Sequence, residues 1–336
     1  MKKHSVLFLA GDGIGPVLMG FWNDVLPGLG RRHGFEIDCR TAPFGKSAFQ
    51  ATGSGVPDAT LKAMEEADAT LLAAVDTKGL PESPVGYVRR KLDLYADIRP
   101  VKARPGRKAF AEGIDMVFVR ESGQGFLPDR NMFSGNAEWM TDPDTALSMR
   151  LITRAASMRI AECAFRYARN NGRKKITALH KASIFRKTCG LFLDAARAVS
   201  VRYPEIAYGE ELVDDAANGL IARPDRYDIL LTTNLFGDIL SDEASALVGS
   251  LVASANLGEK AALFLPASHS PCYNLLAEET YDIMPAALCV AMMLRSLGEN
   301  AAAIDVETAI DRVLTSGLGK SGPQSDLLRR TLESEA

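Results

Sequence analysis

Residues 232–243 read Thr-Thr-Asn-Leu-Phe-Gly-Asp-Ile-Leu-Ser-Asp-Glu and close an apolar run that begins at 228. Asp238 and Asp242 are four apart, so in a helix they stack on one face and repel unless a cation lies between them. Their hard oxygens suit Mg²⁺ or Mn²⁺; a solvated acidic helix face is the alternative. Asp214, beside Asp215, is a candidate third carboxylate. Arg89, Arg90, Arg99 and Arg120 form the cationic counterpart, and Arg99 and Arg120 each stand near the end of an apolar run. The planar guanidinium fork captures carboxylates bidentately, so arginines beside a metal point to a substrate with more than one carboxylate. Ordinary surface ion pairing accounts equally for one of Arg89 and Arg90. Lys181 follows the apolar segment 175–179. Beside a metal its pKa falls toward that of a base; without one it is a loop charge. His180 and His269 are weaker ligand candidates.

The elements that position these groups are short apolar runs at 6–10, 69–75, 115–119, 175–179 and 228–232, which read as buried parallel strands. Between them lie amphipathic stretches. Over 145–170, Leu151, Ala155, Met158, Ala161 and Phe165 recur on one helix face. The class is α/β, and candidate site residues fall at strand ends, where such folds bind ligands. The turn Gly11-Asp12-Gly13-Ile14-Gly15-Pro16 joins the first strand to a helix. Its G-x-G-x-G-P spacing departs from the dinucleotide fingerprint G-x-G-x-x-G, so a Rossmann fold is disfavoured and the turn by itself is structural. No repeat or long linker divides the chain, although 102–113, rich in Pro, Gly and Arg, is a plausible crossing point.

The chain has 336 residues, 47% hydrophobic and 24% charged, with 39 Lys and Arg against 42 Asp and Glu. That composition excludes disorder and collagen, and a net charge of −3 makes neither nucleic acid nor a membrane surface an expected partner. The apolar run after Met1-Lys2-Lys3-His4 is too short for a signal peptide or a bilayer span, which points to the cytoplasm. Five widely spaced cysteines without a C-x-x-C pair indicate reduced thiols.

In this order the pieces resemble the β-decarboxylating dehydrogenases, which act on isocitrate, isopropylmalate, homoisocitrate and tartrate. The anchors are 11–16, Asp93-Leu94-Tyr95-Ala96-Asp97-Ile98-Arg99-Pro100, Val119-Arg120-Glu121, His180-Lys181-Ala182 and 234–243, with a lean toward the NAD-linked isocitrate branch. The resemblance implies a two-lobed fold that is not Rossmann: a large domain from 1–98 plus 254–336 on the cofactor side, and a small domain, 99–253, carrying the dimer interface. It implies that Ser83, Arg89, Arg99 and Arg120 bind substrate. Asp214, Asp238 and Asp242 would hold Mg²⁺ or Mn²⁺ at the 2-hydroxyl and its neighbouring carboxylate. Lys181, with Asp214, would take the hydroxyl proton as hydride leaves C2. Thr77, His269 and Ser270 would contact NAD or NADP. Lys181 and Asp214 would reach the site from the second subunit of a homodimer.

The motif is broken in several places. Leu127 stands where the family's tyrosine protonates the enolate, a loss typically worth roughly 10²- to 10⁴-fold in the assisted step. Val85 replaces an asparagine, Ser183 stands where an asparagine meets nicotinamide, and Met284 aligns near an adenine-contacting asparagine. The cofactor loop, 265–277, lacks the acid expected at the adenosine ribose. Three expectations follow: metal-dependent NAD(P)-linked oxidation of a 2-hydroxy di- or tricarboxylate, with or without decarboxylation; non-redox decarboxylase or lyase chemistry on a related carboxylate; or a non-catalytic regulatory subunit.

Overall fold

The computed structural model describes residues 1–127, 137–277, 281–318 and 322–334. In chain order the first elements are β1 (Lys2–Gly11), α1 (Gly15–His33), β2 (Phe35–Ala42), α2 (Gly45–Thr52), α3 (Asp58–Glu66), β3 (Ala69–Ala74) and α4 (Pro84–Lys91). Then come β4 (Ala96–Lys102), β5 (Asp115–Glu121), β6 (Glu138–Asp142), β7 (Thr145–Ser148), α5 (Arg154–Asn170), β8 (Lys175–His180), α6 (Arg186–Ser200), β9 (Ala207–Leu212), α7 (Val213–Ala222), β10 (Ile229–Thr232) and α8 (Asn234–Leu247). The chain closes with β11 (Ala253–Leu257), β12 (Ala262–Pro266), α9 (Tyr273–Ala277), α10 (Met284–Ser296), α11 (Asn300–Thr315) and α12 (Gly322–Ser334).

Two compact units result, one from 1–94, 104–108 and 251–336, the other from 95–103 and 109–250. In the first unit β1 runs parallel to β2 and β3, β3 parallel to β12, and β11 antiparallel to β12. In the second, β4 is antiparallel to β5, while β5, β10, β8 and β9 run parallel in that order. The strands are therefore mixed, because β4 and β11 run against their neighbours. Strands β3 and β10 are buried along their whole length, as strands covered on both faces must be. Leu9, Leu72, Val85, Val88 and Leu263 pack one core of the first unit; Phe118, Phe165, Ile176, Phe192 and Leu230 are buried in the second. Each such side chain contributes about 1.5–3 kcal/mol.

The expected helix over 145–170 starts later. Residues 145–148 form β7 of an exposed hairpin with β6, and Thr153 begins the helix by accepting the Ala156 N–H at 3.3 Å. An N-capping hydroxyl outweighed helical periodicity upstream of it. No helix among the described residues is long and apolar enough to cross a membrane.

The glycine turn is used by the protein's own backbone. Gly13 has φ +61°, and a Cβ there would stand 1.9 Å from the Pro271 carbonyl oxygen, which accepts the Ile14 N–H at 3.0 Å. The buried Asp12 carboxylate accepts backbone N–H groups from Lys46 (2.9 Å), Ser47 (2.8 Å) and Asp76 (2.9 Å), tying the turn to α2 and to the segment after β3.

Candidate active site

Strand pairing in the second unit builds an alternating charge array. Asp97 and Arg99 are two apart on β4 and so share a face, and Asp97 lies directly opposite Arg120 on β5. Arg120 in turn pairs in register with Thr232, the last residue of β10, after which α8 begins at Asn234. Arg120 Nε and Nη2 donate to Asn234 Oδ1 at 3.2 and 2.5 Å, and Nη1 reaches Asp238. Arg99 Nη1 donates to Ser241 Oγ and to Asp242 Oδ1, both at 2.9 Å, with Nη2 3.5 Å from Asp238 Oδ1. Asp238, Ser241 and Asp242 thus form one helical stripe facing the two arginines.

Burial differs sharply across this array. Asp97 has no exposed side-chain surface and each arginine shows 7%, whereas Asp238 and Asp242 are 48% and 71% exposed. Burial opposes the charge on Arg99, but Asp97, Asp238 and Asp242 overcome it and hold its pKa above the ordinary value. For Arg120 burial wins, aided by repulsion from Arg99, and its pKa is lowered despite the same carboxylates. The exposed aspartates keep oxygens available to a ligand, and as hard donors on one helix face they fit a divalent cation. Within one chain they supply two donors: no group of three or more His, Cys, Asp or Glu among the described residues is placed to hold a metal.

A second pair lies at the adjacent ends of β8 and β9, where His180 and Leu212 are in register. Lys181 follows one strand, Asp214 sits in the first turn of α7 after the other, and Lys181 Nζ donates to Asp214 Oδ1 at 2.5 Å. That bond, with backbone donation at Asp214, lowers the carboxyl's pKa. The Lys181 N–H is fixed by Cys189 Sγ at 3.3 Å. His180 Nδ1 accepts the Ala182 N–H at 3.1 Å, and burial lowers its pKa. Its ring orders the lysine turn.

The remaining candidates belong to the first unit. Ser83 caps α4 by accepting the Gly86 N–H at 3.3 Å, and Arg89 Nε donates to the buried Asn256 Oδ1 at 2.6 Å. Val85 is turned into the core. Thr77 and Ser270 are exposed. His269 is half-buried, its carbonyl accepting the Val75 N–H at 2.9 Å. Next to this loop a cavity of about 410 Å³ is lined by Asp12, Lys46, Gln50 and Tyr273 among others. Lys46 Nζ is 3.0 Å from Asp76 Oδ2, and the Tyr273 hydroxyl donates to the same oxygen at 3.3 Å. The space suits a small ligand, and the ammonium, amide and phenol fit the polar part of a nucleotide.

Sequence reasoning located Arg99, Arg120, Asp238 and Asp242, which the fold brings together, and Lys181 with Asp214, which it pairs. It passed over Asp97, Asn234 and Ser241, all inside motifs already singled out, and the trio Lys46, Asp76 and Tyr273. A carboxylate two residues before an arginine on a strand is a same-face signal available in the sequence.

Residues 5–331 match the family model described as isocitrate/isopropylmalate dehydrogenase. The chain is 36% identical over 320 residues to a 3-isopropylmalate dehydrogenase of Methanothermobacter thermautotrophicus, covering 95% of this chain and 93% of that protein. An isocitrate/homoisocitrate dehydrogenase of Thermus thermophilus is 35% identical over 323 residues, with coverage of 94% and 92%. Among solved structures, isocitrate dehydrogenase from Methylococcus capsulatus superposes with a TM-score of 0.87 at 30% identity, covering 98% of this chain and 99% of that one.

Proposed function

Because the chain belongs to the isocitrate/isopropylmalate dehydrogenase family, whose members are enzymes of hydroxy-acid oxidative decarboxylation, we propose that it is a metal-dependent, NAD(P)-linked oxidoreductase acting on a 2-hydroxy carboxylate. The observation that carries this reading is the array in which Arg99 and Arg120 face Asp238 and Asp242 on one stripe of α8. Asp238 and Asp242 hold Mg²⁺ or Mn²⁺, with Asp214 of a second copy completing the set. The cation supplies charge stabilisation for the reacting oxygens. Thr77, His269 and Ser270 contact the nicotinamide nucleotide. Arg99, Arg120 and Asn234 bind substrate, and the resemblance adds Ser83 and Arg89 to the substrate-binding residues. Lys181 accepts the hydroxyl proton as the C2 hydrogen departs, and Asp214 steadies the ammonium that results.

A homodimer with shared sites accords with the apolar surface of the second unit. Ile221 on α7 and Leu235 and Ile239 on α8 are exposed, as are Trp139, Met140 and Leu147 on the hairpin. Five free cysteines suit the reducing cytoplasm.

Calorimetric titration with NAD⁺ and NADP⁺, with and without Mn²⁺, tests the reading. Nucleotide binding is expected in at least one combination, together with reduced-nucleotide formation from a 2-hydroxy acid that Lys181→Ala abolishes. Absence of binding in every combination refutes it. Asp238→Asn weakens Mn²⁺ binding at least tenfold; unchanged affinity refutes the metal assignment.

A further inference from the structure

Arg89 stands in the last turn of α4, and the chain leaves that turn through Leu94, whose N–H donates to the Arg89 carbonyl at 2.9 Å. Strand β11 runs close against this turn. A Cβ on Gly258 would lie 2.9 Å from both the Leu92 and the Asp93 carbonyl oxygens, an approach that a residue without a side chain permits. Two residues earlier in the chain, Asn256 reaches the arginine, and its Oδ1 accepts Arg89 Nε at 2.6 Å. Asn256 and Ser254 are two apart on β11, so they share a strand face, and both are buried.

A buried amide is costly unless both of its halves are paired, and here both are. Arginine has donors only, so the amide must turn its oxygen toward Nε. Its NH₂ then needs an acceptor, and Asn256 Nδ2 donates to Ser254 Oγ at 2.8 Å. Ser254 thereby sets which way the amide faces. Because the guanidinium is planar, a bond at Nε also fixes the direction in which Nη1 and Nη2 point. The charge of the partner matters as much as the bond. Arg99 and Arg120 meet the carboxylates of Asp97 and Asp238, whereas the Asn256 amide takes the Arg89 Nε–H without bringing a negative charge.

We infer that Asn256 is a positioning residue for the proposed reaction: it holds the Arg89 guanidinium ready for a substrate carboxylate, through a neutral acceptor that does not repel that carboxylate. This rests on the function proposed above, which places Arg89 among the substrate-binding residues. An arginine that is not held must be immobilised when the anion arrives, and the rotamer freedom then lost is worth up to roughly thirtyfold in affinity. Asn256 removes that loss beforehand.

Two readouts test this. In protein labelled with [¹⁵N]arginine, the Arg89 Nε–H, assigned through Arg89→Lys, is expected to exchange with water at least about tenfold more slowly than that of the exposed Arg31. Asn256→Leu is expected to remove this protection, and Asn256→Asp, which retains the acceptor, to keep it. Calorimetric titration of Mn²⁺-loaded protein with isocitrate, 3-isopropylmalate and malate then follows the tightest of the three. Asn256→Leu is expected to weaken that ligand roughly ten- to thirtyfold, but less than about twofold in an Arg89→Ala background, where there is no guanidinium to hold. Asn256→Asp is expected to weaken it as well, because the added carboxylate opposes the ligand's own. The exchange rate of the wild type requires no core variant to fold. Equal exchange at Arg89 and Arg31, protection that survives Asn256→Leu, an equal loss of affinity with and without Arg89, or wild-type affinity in Asn256→Asp overturns the inference. A ligand whose affinity Arg89→Ala leaves unchanged, or binding of none of the three, refutes the substrate role proposed for Arg89, while Nε–H protection lost in Asn256→Leu leaves the hold of Asn256 on Arg89 standing.

Discussion

Gly237→Ala tests whether the contact between β5, β10 and α8 sets the geometry of the arginine–aspartate array. A Cβ on Gly237 would lie 2.1 Å from Thr232 Oγ1, 2.9 Å from Arg120 Cγ and 3.0 Å from Arg120 Cβ. Ordinary non-bonded contacts are about 3.5 Å, so α8 or the arginine stem must move by roughly 1 Å. Thr232 has no exposed surface, and the Arg120 head is held by Asn234 and Asp238. Neither yields cheaply, and overpacking of this kind costs about 1–3 kcal/mol. At roughly 2–4 °C per kcal/mol for units of this size, Tm falls by about 2–12 °C. Because Asp238 is the next residue, the displacement also reaches the aspartate stripe proposed to hold the metal, where 1 Å of misplacement is expected to cost about 10²-fold in turnover. Thermal melts followed by Mn²⁺ titration and a turnover assay read both effects. Thr232 Oγ1 has no hydrogen-bond partner among the described residues, so Thr232→Ala in the Gly237→Ala background removes the nearest clash without breaking a bond seen there and is expected to recover most of the loss. A Gly237→Ala protein with wild-type Tm and turnover, or a double variant no better than the single, refutes the reasoning.

Asp12→Ala strands three backbone N–H groups and is expected to cost about 3–5 kcal/mol in urea unfolding, with Asp12→Asn closer to the wild type. Asp76 is held below the usual carboxylate range by the Lys78 N–H and by Lys46, so its ionised form stabilises the fold at neutral pH and that contribution is lost as pH falls through its depressed pKa. Lys46→Met raises that pKa, which carboxyl NMR reads as a midpoint moved to higher pH and acid unfolding reads as an earlier onset. Ile239→Glu places a charge on the exposed apolar face of α8 and is expected to shift the protein to monomers in sedimentation velocity and to abolish turnover while leaving Tm of the monomer within a few degrees.

The strands and the site were unequally legible in the sequence. Buried parallel strands such as β3 and β10 announce themselves as unbroken apolar runs, and the candidate residues at their ends follow from that reading. Strands β4 and β9 carry charges, Arg99 and Asp97 in one and Glu210 and Glu211 in the other, so hydrophobicity alone conceals them. The hairpin β6–β7 is exposed throughout and has no core face to mark it, which is why helical periodicity was extended across residues 145–148. Spacing identified Asp238 and Asp242 as a stripe, but only cross-strand register shows which cations they meet. Tyr273 was passed over because its hydrogen bond to Asp76 depends on a tertiary approach that no local pattern encodes.

Leu127 departs from the motif that the resemblance implies, and the departure bears on one chemical step. In oxidative decarboxylation the loss of CO₂ leaves a carbanion equivalent that must be protonated, and an acid at the position of Leu127 serves that step alone. Leu127 has no proton to give, and losing a positioned acid slows an assisted step by roughly 10²- to 10⁴-fold, while oxidation at C2 does not use that proton. Lys181 with Asp214 and the aspartate stripe of α8, the groups proposed to serve hydride removal, are all present, so the oxidation step is expected to outpace the protonation step.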